Sequence, residues 1–192
     1  MIGVEDLHLT YRVDLSGGQR RLKEATLYAA QKSQRMDRLG GIKLNKILWR
    51  SDFRSFYARR QPVTGRTYQR LKFGPAPIEM VPVLAELHRD GLLVTEQRKV
   101  FDKTEHRPVP QADPVLNFFS QEDLDYLDES IQHYWSMTGA ETSDESHGIA
   151  WRSREDGDPI PYEAAYFEDA PLGEKYLGKL AEQGRGAKWL SA

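Results

Sequence analysis

The chain contains no cysteine. Disulfide bridges, zinc–thiolate sites and thiol catalysis are thereby excluded. No apolar run approaches the roughly 20 residues needed to cross a bilayer. The opening residues, MIGVEDLHLTYRVD, lack the basic-then-apolar order of a signal peptide. These absences lead to the expectation of a cytoplasmic protein without membrane contact. Five histidines, at 8, 88, 106, 133 and 147, show no HxH or HExxH spacing, so no metal site is expected. Ser146 stands beside His147, yet neighbours on a helix point apart and no G-x-S-x-G elbow exists. The run SGGQR at 16–20 has neither a P-loop lysine nor a preceding strand, and no cofactor is implied.

What is present is an ordinary globular balance. The 192 residues are 39% hydrophobic and 29% charged, enough for a packed core in a single domain with extensions. The net charge of −2 conceals a division along the chain. From Arg20 to Lys72 there are fifteen Lys or Arg against three acids, Glu24, Asp37 and Asp52. From Asp113 to Glu174 there are sixteen acids against two bases, Arg152 and Arg154. Either the two halves neutralise each other in the fold, or one charged face docks a partner.

The pattern predicts a fold that is mainly α with a small β-hairpin (α+β): a compact helical domain, with a winged-helix-like arrangement as one reading. A helix is predicted over 19–38, stopped by Gly40 and Gly41. A second spans about Ile42 to Arg60, and Thr64 is placed to cap a short helix through Leu71. Gly74-Pro75 breaks the chain before a helix at about 77–90, with Pro82 arguing for a later start. The runs LLVTEQRKVF and TEHRPV read as a hairpin about Asp102-Lys103, Pro108 placing the second strand at an edge. SQED opens a further helix, with Ser120 and Asp123 as a capping pair and Leu124, Leu127, Ile131 and Tyr134 on one stripe. TSDESHGIAWRS reads as another short helix, EDGDP as a turn, and Pro161 as the start of a last helix, PYEAAYF.

On a wheel of about 100° per residue, the second helix places Ile42, Trp49, Phe53 and Phe56 on one apolar arc, with Tyr57 at its margin. Leu44 and Leu48 form another arc, with Ile47 beyond it. Lys43, Lys46, Arg50 and Arg54 share the remaining sector as a basic stripe. Its cations either pair with the acidic half or, if exposed, face nucleic acid. Asn45 and Asp52 lie between the apolar arcs. A buried carboxylate without partners costs several kcal/mol, so Asp52 is expected to meet a cation or several donors. A packing clasp, a catalytic carboxylate and partner recognition are its three readings. His147 stands four residues before Trp151, on the same face of a helix.

The ordered set KLNKILWRSDF, PVTGRTYQRLKFGPAP, LAELHRDGLL, ESHGIAW and DPIPYEAAYF resembles the Panacea antitoxin domain, also called SocA-like, over about residues 40–168. One departure is Ala76 after Gly74-Pro75, where many members carry Val. Residues 1–39 then form an N-terminal extension and first helix, and 169–192 a tail. The resemblance implies a bacterial or prophage-borne antitoxin of a toxin–antitoxin system that neutralises a cognate toxin by direct protein contact, not an enzyme. It also implies an adaptor that delivers the toxin to a protease. Carried over by position, the family pattern covers Lys43, Leu44, Lys46, Asp52, Gly65, Tyr68, Gly74, Pro75, His147 and Trp151, as scaffold signatures first and partner contacts second. Two other functions compete. One is a DNA-binding regulator of its own operon. The other is an enzyme built on Asp52 and His147, which requires those side chains to converge in one open pocket.

Overall fold

The computed structural model describes residues 9–100 and 103–166. Among the described residues, helices α1 (Arg20–Lys32), α2 (Gly41–Arg59), α3 (Met80–Arg89), α4 (Gln121–His133), α5 (Gly139–Glu145) and α6 (Ile149–Arg152) surround two small sheets. A hairpin pairs β3 (Leu93–Val100) antiparallel to β4 (Lys103–Pro110). Three two-residue strands, β1 (Tyr68–Gln69), β2 (Ala76–Pro77) and β5 (Pro159–Ile160), make a second antiparallel sheet with β1 in the middle. A 3-10 turn, Tyr162–Tyr166, closes the described chain. The result is the expected mainly helical α+β domain. The tail from 169 lies outside the described residues, as does the hairpin turn at Asp102.

Helix α2 is the centre. It packs on α1, α4, α5, β2, β4 and the 3-10 turn. Its apolar residues meet two separate clusters, Ile42 joining neither. Leu44, Ile47 and Leu48 join Leu22, Ala25 and Ala29 of α1, Val83 and Leu87 of α3, and Leu127 and Ile131 of α4. Phe53 and Phe56, with Trp49 alongside, join Tyr68, Ile160 and Tyr162. The first helix therefore shares its core with the centre of the domain.

Several elements differ from the sequence pattern for local reasons. α1 ends at Lys32, not 38. Arg107, reaching across from β4, donates through Nη2 to the carbonyls of Ser33, Gln34 and Met36 at 3.3, 2.7 and 2.7 Å, capturing acceptors that a longer helix would use itself. No helix follows Thr64. The Asp52 carboxylate takes the Thr64 amide, Gly65 adopts φ +72°, and β1 is held between β2 and β5. α3 begins at Met80 because Ala76 and Pro77 are used as a strand, which leaves Pro82 in the first turn, where its missing N–H costs nothing. The segment around His147 splits into α5 and α6. The Ser120–Asp123 capping box forms with both reciprocal bonds, 3.2 and 3.0 Å. Thr138 and Glu141 form a second.

Candidate functional site

Asp52 is fully buried, and its partners are donors, not cations. Oδ1 accepts the Thr64 amide at 2.5 Å, and Oδ2 accepts the hydroxyls of Thr64 and, at 2.8 Å, Tyr68. Tyr162 donates to the same oxygen at 3.4 Å and more closely to the Arg66 carbonyl at 2.6 Å. Burial pushes the carboxyl up to about 6 against the pull of these hydrogen bonds. The group thus ties α2 to the 63–68 loop and to the 3-10 turn. Gly65 belongs to the same assembly. The Val13 amide donates to its carbonyl at 3.0 Å, and a Cβ there would collide with the Val13 carbonyl.

Lys46 donates from Nζ to the Pro75 carbonyl at 2.7 Å and is buried. Desolvation lowers its ammonium to about 7. Gly74, at φ +92°, lets the chain pass over it. A side chain there would collide with Ser146 Oγ and lie 2.6 Å from Lys46 Cε. Lys43 is equally buried, lowered to about 8 first by desolvation, and its ammonium meets no acceptor among the described residues. Two members of the basic stripe are therefore interior. The wheel gave their direction correctly, but the Gly74–Pro75 segment covers Lys46, and Lys43 is shut in near Glu105 and Arg107 of the hairpin. Only Arg50 and Arg54 keep access to solvent.

His147 stacks on Trp151, with centroids 3.8 Å apart, across the break between α5 and α6. Trp151 donates from its indole to the Leu71 carbonyl at 2.7 Å and carries the Arg70 guanidinium on its other contacts, 4.1 Å from the ring centroid. The imidazole is lowered from its ordinary range, chiefly by burial. Asp52 has no exposed surface and is held by Thr64 and Tyr68, whereas His147 stacks on Trp151. The pair does not converge in an open pocket, which removes the basis for an enzyme centred on it.

Two clefts flank α2. The larger, about 900 Å³, lies at its N-terminal end between the hairpin and α5, with Ile42, Phe73, Val100 and Ala140 among its walls. The smaller, about 460 Å³, runs beside its C-terminal half and is lined by Trp49, Arg50, Phe53, Arg54, Tyr57 and, from across the gap, His133, Glu145 and Tyr166. Tyr57 and Tyr166 pack at 5.5 Å, and Arg60 lies 4.1 Å over Tyr166. Tyr166, His133 and Glu145 had no sequence signal marking them as site residues, since they reach α2 only through the tertiary fold. Tyr57 was visible at the margin of an apolar arc.

A family model described as antitoxin SocA-like, Panacea domain, matches residues 44–152. Within that span fall Leu44, Lys46, Asp52, Gly65, Tyr68, Gly74, Pro75, His147 and Trp151, while Lys43 stands one residue outside. No curated protein and no solved structure matches.

Proposed function

The chain belongs to the SocA-like Panacea antitoxin family, and from that premise we propose that it neutralises a cognate toxin by binding it directly. The observation that carries this reading is the division of polar residues on α2. Asp52 and Lys46 are sealed inside and hold the scaffold, so neither is offered to a substrate. Among the residues that α2 leaves wholly or partly exposed are Arg50, Arg54, Tyr57 and Trp49, which line one cleft. Arg, Tyr and Trp are the side chains that dominate the energetics of protein interfaces.

A DNA-binding regulator draws less support. Lys43 and Lys46 are withdrawn from the stripe that would face phosphate. The helix preceding the hairpin exposes Val81, Pro82 and Ala85, and it carries no Lys or Arg before Arg89. Among the described residues, no helix is long and apolar enough to cross a membrane.

Co-expression with the product of the adjacent reading frame tests the proposal. A toxic neighbour should be silenced and should co-purify with this chain. If the neighbour is shown to be toxic and neither rescue nor co-purification follows, the reading fails. An adaptor role adds that the toxin's half-life shortens in cells holding this chain and an active protease. An unchanged half-life alongside full rescue would leave simple neutralisation.

A further inference from the structure

Two residues that line the cleft beside the C-terminal half of α2 carry donors that meet no acceptor among the described residues. These are Trp49 Nε1 and Arg50 Nη1, both shielded from solvent and on consecutive residues. Neither group can accept a hydrogen bond, so any polar partner must be an acceptor. Arg54, one turn further on, forms no ion pair among the described residues and lies 6.0 Å from the Tyr57 ring centroid. The cleft's own acid, Glu145, is engaged elsewhere: its two oxygens take the Tyr134 hydroxyl at 2.7 Å and His133 Nε2 at 3.0 Å. The cleft thus carries two guanidinium groups that form no ion pair among the described residues, and rings on both walls.

We propose that this cleft receives an acidic segment of the protein partner, with a carboxylate side chain meeting the Arg50 and Arg54 guanidinium groups beside Trp49. A neighbouring apolar or aromatic side chain of that segment lies against Tyr57 and Tyr166. The inference rests on the protein-binding reading above and adds the chemistry of what is bound. Charge complementarity selects the carboxylate. The ring-lined walls select an apolar neighbour rather than a bare anion.

The test uses the full chain and a designed probe, the peptide acetyl-Gly-Phe-Glu-Phe-Gly-amide, with its Gln counterpart as control. Amide and indole resonances report binding, the Trp49 indole signal being assigned through Trp49→Phe. The Glu peptide should shift that signal and bind at least about tenfold more tightly than the Gln peptide, the scale of one charge-assisted hydrogen bond. Arg50→Gln/Arg54→Gln, checked for an unchanged circular dichroism spectrum, should abolish the difference. Equal binding of the two peptides, or no shift with either, overturns the proposal. Adenosine monophosphate shifting these signals where the peptide does not overturns it equally, because the ligand would then be a nucleotide. With the toxin in hand, the double variant should lose neutralisation. Full rescue by that variant would overturn the docking assignment while leaving the antitoxin function standing. Peptide binding by a chain that rescues nothing would fault the function and not the cleft's chemistry.

Discussion

At the scale of single residues, Asp52 and Lys46 give the protein two opposite dependences on pH. The Asp52 carboxyl is raised from 3.8 to about 6, so the folded chain holds a proton that the unfolded chain releases. Stability from this group is complete below the unfolded value and falls as pH rises toward 6. Denaturant titrations should show the wild type losing, relative to Asp52→Asn, on the order of 3 kcal/mol across that window. Asp52→Ala should cost about 2–4 kcal/mol, because it strands buried donors on Thr64 and Tyr68. Lys46 behaves inversely. Its ammonium is lowered from 10.5 to about 7, so the unfolded chain binds the extra proton and stability climbs as pH rises above 7. Lys46→Met should abolish that climb when unfolding midpoints are compared at pH 7 and 9.

At the scale of elements, the glycines separate conformational strain from collision. Gly157 has φ +92° with open space around it, whereas Gly65 combines φ +72° with the Val13 carbonyl where a Cβ would stand. Gly157→Ala should lower stability by about 1 kcal/mol and Gly65→Ala by about 3 kcal/mol or more, read from urea midpoints. The same contrast shows what the sequence could and could not disclose. α2, the hairpin and the Ser120 cap were legible because each carries a local signal: a long apolar wheel, two β-rich runs, a reciprocal capping pair. Asp52 was legible as a buried group needing donors. The sheet of two-residue strands was not, since two residues have no periodicity and Tyr68 is placed by partners at Pro77 and Ile160. Lys43 and Lys46 misled because a wheel gives direction but not cover, and the covering segments arrive from residues 74–75 and from the hairpin.

At the scale of the whole molecule, ion pairs join four cations of the basic first half to the acidic second half. Arg21, Arg59, Arg70 and Lys32 pair with Asp123, Glu122, Asp156 and Asp128. Most of these pairs are at least partly exposed and contribute little individually. Asp123 is the exception. It is buried, bonded to Arg21 at 2.8 Å and also to Arg59, and it caps α4. Asp123→Ala should destabilise the protein by about 3–5 kcal/mol, since it leaves Arg21 buried without its counter-ion. A loss below about 1 kcal/mol would mean that the pair does not join the halves.

The sealed inner face of α2 has a practical consequence. Residues 50, 54 and 57 stand on the side of the helix that neither core claims. They can be randomised together in a library while Asp52, Lys46 and both apolar clusters are left intact, which separates whatever this face does from what keeps the domain folded.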